Sequence, residues 1–216
     1  MIASEGKIIL VPTFIVLIIG VFSYLLIDDN LIWLCYLNYL VLLFLLFSLY
    51  FFREPNREIV DIPNQMLSPA DGKVVQIIDI EDSNIGPAKQ ISIFLSVFNI
   101  HSQYVPIDSK VLSSEYFPGK YLMAFNHKAS DKNERTSIMF ETASNHKYKV
   151  KQIAGFIARR ILNYMIPEKR VNKGDRLGFI RFGSRVDIVV SKNDFNITVE
   201  EGDKVRANLS SIGEFV

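Results

Sequence analysis

Apolar residues are laid out along this chain in two textures. In the first, residues 8–27 and 31–52 carry no charged side chain, and only Asp28, Asp29 and Asn30 separate the two runs. Each run is about the ~20 residues that an α-helix needs to cross the hydrocarbon core of a bilayer. A three-residue polar link between two such runs predicts a helical hairpin with both outer ends on the same side. Lys7 precedes the hairpin, Arg53 and Arg57 follow it, and the link is acidic. The positive-inside tendency then places both ends, and everything downstream, on the cytoplasmic side of the cell (inner) membrane. Trp33, Tyr36 and Tyr50 suit the interfaces, and Arg53 and Arg57 suit anionic headgroups. Pro12 and Gly20 are places where the first helix can bend. A secretory signal peptide would show one shorter apolar stretch and a small-residue cleavage site, whereas here a second long run follows at once.

The second texture begins at Ile59. Short stretches, many rich in Val and Ile, at residues 73–80, 90–97, 148–153, 185–190 and 195–199 alternate with turn residues and predict strands. Pro69-Ala70-Asp71-Gly72 and Glu201-Gly202-Asp203 read as turns between them. Apolar positions are closely spaced over residues 153–165 and Pro167 follows, which predicts a helix. There is no βαβ rhythm and no GxGxxG or GxxxxGK loop, so the usual nucleotide sites are unsupported. The pattern therefore divides the chain into a membrane anchor, residues 1–58, and a catalytic-sized domain, residues 59–216. That domain reads as mainly β (α+β), a compact barrel or sandwich with one or two helices. Within it Lys173-Gly174-Asp175-Arg176-Leu177-Gly178 and Glu201-Gly202-Asp203-Lys204-Val205 resemble each other, and both resemble the Gly-Asp turns of lipoyl- and biotinyl-carrier folds.

Charge and composition narrow the chemistry. The 24 basic and 23 acidic side chains leave a formal charge of +1, which argues against nucleic acid as a partner. The one cysteine, Cys35, lies in an apolar run, so an intrachain disulfide and a Cys-based zinc site are excluded. The three histidines are His101, His127 and His146. None has another at i+4, no HExxH is present, and no metal is expected. There is no GxSxG elbow for an ordinary serine hydrolase. What remains is Gly183-Ser184, which taken alone reads as a turn. His127 and His146 lie in polar stretches and read as surface residues.

Context changes the reading of that pair. Phe51-Phe52-Arg53-Glu54-Pro55 follows the membrane run, and Ser68-Pro69-Ala70-Asp71-Gly72-Lys73-Val74 and Phe98-Asn99-Ile100-His101 come after it. Asn133-Glu134-Arg135, Gln152-Ile153-Ala154-Gly155 and Ala158-Arg159-Arg160-Ile161 then lead to Arg181-Phe182-Gly183-Ser184-Arg185. In order and spacing these segments resemble the short, bacterial and archaeal type of phosphatidylserine decarboxylase proenzyme, over nearly all of the second domain.

The resemblance implies a self-cleaving chain. The Ser184 hydroxyl attacks the Gly183 carbonyl, and the amide becomes an ester. A base removes the Ser184 α-proton, and the dehydroalanine left behind hydrolyses to a pyruvoyl group with loss of ammonia. The products are a β chain, residues 1–183, and an α chain, residues 184–216, which stay associated. Glycine suits the acyl side because it has no Cβ, and serine supplies both nucleophile and leaving group. The pyruvoyl group is the covalent cofactor. It takes the amine of phosphatidylserine as a Schiff base and accepts electrons as CO₂ leaves, giving phosphatidylethanolamine for phospholipid biosynthesis.

By the same resemblance His101 is the acid-base group, and Asp71 orients or assists the base. Arg159 and Arg160 are candidates for the substrate phosphate or for lipid headgroups. Longer family members carry an acidic residue where this chain has Asn99 and a second histidine near Tyr104. Their division of labour is therefore not carried over; Asn99 positions a group but is no base. Membrane lipid is the implied partner, and the resemblance leaves room for a homo-oligomer. A related serine phospholipid such as archaetidylserine offers the same headgroup chemistry. A membrane-tethered, non-enzymatic module of carrier type would need a lysine in a Met-Lys-Met-like setting, and none is found.

Overall fold

The structure, a computed structural model, describes residues 1–26, 32–59, 62–122, 132–155, 160–181 and 183–216. It divides into two compact units, Met1–Asn56 and Arg57–Val216.

In the first unit a 3-10 turn, Ser4–Gly6, leads into α1 (Lys7–Leu26), and α2 (Ile32–Phe51) follows. α1 buries none of its side chains and α2 buries only Leu45, Ser48 and Phe51. Both helices are long and apolar enough to cross a membrane. Their outer ends meet. The Ala3 N–H donates to the Phe52 carbonyl at 2.8 Å and the Glu54 N–H to the Met1 carbonyl at 2.7 Å. Pro12 lies inside α1. Gly20 marks a close approach: a Cβ there would stand 2.1 Å from Asn38 Oδ1 on α2. The acidic link, residues 28–30, lies outside the described residues.

The second unit is built on strands. They are β1 (Gln65–Leu67), β2 (Gly72–Asp82), β3 (Gly86–Leu95), β4 (Ser102–Tyr104), β5 (Ser109–Phe117), β6 (Arg135–Glu141) and β7 (Lys147–Ile153). β8 (Ile161–Asn163), β9 (Arg170–Val171), β10 (Arg176–Ile180), β11 (Ser184–Ser191), β12 (Phe195–Ile197), β13 (Lys204–Val205) and β14 (Ser211–Phe215) complete them. Eight form one sheet, in the order β13-β2-β3-β11-β7-β6-β5-β9, and two three-stranded sheets, β1-β14-β12 and β4-β10-β8, accompany it. The large sheet is curled into a half-barrel. The curl lets Lys149 on β7 reach Asp82, at 2.6 and 2.7 Å, at the end of β2 three strands away. In a flat sheet those strands would be about 14 Å apart.

Alternation along β11 explains why its whole length is buried. Val186, Ile188 and Val190 join the apolar core with Ile91, Ile93 and Leu95 of β3. On the opposite face Arg185 Nε bonds Asp187 at 2.6 Å, and its Nη2 reaches Ser92 Oγ at 2.5 Å and Gln76 Oε1 at 3.1 Å. An ion pair wholly out of water is tolerated because its hydrogen-bonding groups are so well met.

The helix expected over residues 153–165 is not formed as read. Ile153 ends β7, and Ile161–Asn163 is β8, paired with β10 at Ile180↔Ile161 and Phe179↔Leu162. A short apolar run fits strand and helix equally, and here the free edge of β10 decides. The two Gly-Asp turns share one geometry. Gly174 (φ +86°) and Gly202 (φ +104°) each donate to a valine carbonyl, of Val105 and Val74, at 2.8 Å. The same valines donate back to the Asp175 and Asp203 carbonyls, both at 2.8 Å.

Candidate active site

Ser184 opens β11, opposite Leu95 at the end of β3, and is fully buried. Its hydroxyl has no hydrogen-bond partner among the described residues. Gly183 before it has φ +77°, in the left-handed region that favours glycine. Space is not the constraint there, because an added Cβ would find nothing nearer than Val97 Cγ1 at 3.8 Å.

His101 precedes β4 and is also fully buried. Its Nε2 accepts the Gly183 N–H at 3.0 Å, and its Nδ1 lies 2.9 Å from the Asn99 carbonyl. A carbonyl can only accept, so Nδ1 carries the proton and Nε2 turns its lone pair to the Gly183 N–H, one peptide before the Gly183-Ser184 bond. Asn99 supplies that carbonyl because its side chain closes the turn after β3. Its Oδ1 accepts from the Ser96 N–H at 2.9 Å and the Ser96 hydroxyl at 2.7 Å. The expected positioning task of Asn99 is thus performed by its backbone.

Asp71 is placed differently from expectation. Its carboxylate takes a bidentate grip from Arg57, at 2.5 and 2.8 Å, and the Ala207 N–H at 2.9 Å. It makes no hydrogen bond to His101. A guanidinium offers two parallel donors, which an imidazole cannot match. Arg57, read as a membrane-interface anchor, instead belongs to the strand unit and is nearly buried against Asp71. The hydrogen bond to Asp71 raises its pKa, outweighing the opposing effect of burial. The segments that carry Asp71 and His101 are joined by one backbone bond, the Tyr104 N–H donating to the Pro69 carbonyl at 2.9 Å.

Arg160 is exposed, and its carbonyl meets the Arg181 N–H at 3.4 Å. That places Arg160 beside the segment leading into Gly183. Arg159 and His127 lie outside the described residues. His146 stacks on Phe215, with ring centroids 4.7 Å apart, next to the far end of β7. Asn133 is fully buried and donates to the Leu122 and Ala154 carbonyls, each at 2.8 Å. Among the described residues no three His, Cys, Asp or Glu side chains gather as a metal site.

Two residues beside the site were given no role by the sequence, although Gln152 lies in one of the family-like segments. Gln103 and Gln152 are both fully buried, and Gln152 Nε2 donates to Gln103 Oε1 at 3.0 Å. Their one signal is a polar residue at a core position of a strand.

A family model described as phosphatidylserine decarboxylase matches residues 44–213. The chain belongs to the phosphatidylserine decarboxylase family. Relatives named phosphatidylserine decarboxylase proenzyme occur in Desulfotalea psychrophila, 42% identical over 83% of this chain and 85% of the relative, and in Chlorobium chlorochromatii, 45% identical over 80% and 81%. A third, in Burkholderia ambifaria, is 43% identical over 80% of each chain. The family match takes in Asp71, His101, Gly183 and Ser184 together.

Proposed function

We propose that this chain is the precursor of a pyruvoyl-dependent phosphatidylserine decarboxylase, and that it cuts itself between Gly183 and Ser184. The hairpin holds it at the cell membrane with the strand unit on the cytoplasmic face. The observation that carries the reading is the group at the scissile bond: a buried, unpartnered Ser184 hydroxyl, a left-handed Gly183, and a neutral His101 whose Nε2 bonds the Gly183 N–H. Family membership supplies the reaction class.

The residues fit a pyruvoyl group made in place. Ser184 supplies its carbon frame and one water supplies the keto oxygen as ammonia leaves, while among the described residues nothing hydrogen-bonds the hydroxyl that must be lost. In the precursor, His101 Nε2 exchanges the Gly183 N–H for the Ser184 hydroxyl and takes its proton as Oγ attacks the Gly183 carbonyl. The Nδ1 proton, held by the Asn99 carbonyl, keeps the ring in that tautomer. The mature group supplies an electron sink for decarboxylation of an amine-bearing carbon. His101 then stands ready to carry a proton to the substrate carbon. Burial of Ser184 and His101 shields the reacting atoms from bulk solvent. Arg160 and Arg159 are offered to the headgroup phosphate.

Intact mass and gels test the reading. Wild type separates into residues 1–183 and 184–216, the smaller with a blocked N-terminus, and converts phosphatidylserine to phosphatidylethanolamine. Ser184→Ala stays full-length and inactive. A single unbroken wild-type chain with full decarboxylase activity would overturn the mechanism.

A further inference from the structure

Gln152 sits on β7 opposite Val186 of β11. Side chains alternate across a strand, so Gln152 shares the face of the sheet on which Ser184 lies, two residue pairs along the ladder. Its amide orientation is determined by its neighbours. Gln103 Nε2 donates to the His101 carbonyl at 2.6 Å, which leaves Gln103 Oε1 as an acceptor. Gln152 must therefore present Nε2 to it, at 3.0 Å, and the same Nε2 faces the Leu162 carbonyl at 3.2 Å. The socket is built for this amide, because a Cβ on Gly178 would stand 2.5 Å from Gln152 Nε2. With both contacts made by the nitrogen, Gln152 Oε1 is left buried with no partner. The Ser184 hydroxyl is the second unpartnered polar atom on this face.

We propose that Gln152 Oε1 is the acceptor that receives the primary amine of the substrate headgroup beside residue 184. This rests on the decarboxylase reading above and names the group that recognises its nitrogen. A primary amine brings the N–H donors that this oxygen lacks. A neutral amide suits the task better than a carboxylate. An ionised Asp or Glu would favour the ammonium form, whose lone pair is unavailable for attack on a carbonyl, whereas an amide oxygen orients the nitrogen without adding charge. The chain His101–Gln103–Gln152 also ties this acceptor to the acid-base residue, so that amine and proton carrier are held by one network.

The test uses the full-length matured protein and O-phosphoethanolamine, an amine with no carboxylate to lose. With cyanoborohydride present, amine and protein ketone join with loss of one water and gain of two hydrogens, and the resulting secondary amine is read by mass. Gln152→Met should mature to the wild-type extent, while its half-saturating amine concentration rises about tenfold, the weight of one hydrogen bond. KM for phosphatidylserine should rise by a similar factor with kcat changed much less. Gln152→Asn, whose amide is drawn back by one methylene, is measured beside it. A wild-type half-saturating concentration in either matured variant overturns the assignment. Arrested maturation of both overturns it too, since Gln152 would then act in cleavage rather than in amine capture. A wild-type chain that neither cleaves nor traps amine sinks the decarboxylase reading itself.

Discussion

At Gly183 the backbone holds φ at +77°, a region that costs a side-chain-bearing L-residue about 1–2 kcal/mol. Gly183→Ala meets no steric block, so the protein should fold while the peptide relaxes away from its geometry. Self-cleavage should slow about tenfold or more, followed as a time course on gels. His101→Ala removes a basic nitrogen bonded to the Gly183 N–H, one peptide before the proposed scissile bond. It should remain largely uncleaved, and whatever fraction matures should turn over poorly. Normal cleavage and turnover in that variant would remove His101 from the mechanism. Asp71 invites a sharper comparison. If it works by holding Arg57 and the Ala207 N–H, Arg57→Met and Asp71→Asn should show matching defects, and the double variant should be little worse than either. Each single change leaves a nearly buried charge unpaired, at a cost of about 3 kcal/mol in denaturant unfolding. A cleavage defect in Asp71→Asn alone would instead return Asp71 to the imidazole.

Among the elements, the curl of the large sheet depends on contacts such as Lys149 with Asp82. Burial pushes the Asp82 carboxyl up, but the Lys149 hydrogen bond, the Asn84 N–H and the Lys149 charge outweigh it and hold the pKa below its ordinary value. The contribution to stability is therefore complete above the unfolded pKa, about 3.9, and is lost as pH falls through the lower folded value. Lys149→Met should be clearly less stable than wild type at pH 7, and the gap should shrink by pH 3, read by urea unfolding at both. Strands such as β3, β7 and β11 were legible because Val and Ile recur along them. β5 and β6 were not, because Ser113, Ser114 and Glu115 pair with Met139, Ile138 and Ser137 in a mixture that shows no clean period. β8 was misread because three residues carry too little pattern to separate strand from helix. Gly183, Ser184 and His101 entered the proposed site through local segments. The Gln103–Gln152 bond joins residues 49 apart, and the Arg57–Asp71 pair residues 14 apart, and no local signal marks either.

For the whole molecule, the first unit exposes apolar side chains along both helices, whereas the second buries a core of its own. Deleting residues 1–52 should release the protein from membranes. Protease added to sealed, right-side-out cells should leave the strand unit intact, and its digestion there would reverse the proposed topology. The place of the proposed cut in the sheet has a further effect. β11 begins at Ser184 and lies between β3 and β7, while β13 pairs with β2 and β14 with β1. Residues 184–216 are thus woven into two sheets, and severing one peptide should not release them. It does change the molecularity of unfolding. The uncleaved Ser184→Ala chain unfolds and refolds as one molecule, with a midpoint independent of concentration. The cleaved protein unfolds into two, so its midpoint should fall on dilution. Recovery after urea then requires the fragments to find each other, and the cut peptide cannot be resealed. The mature form should persist through slow unfolding rather than through reversible equilibrium.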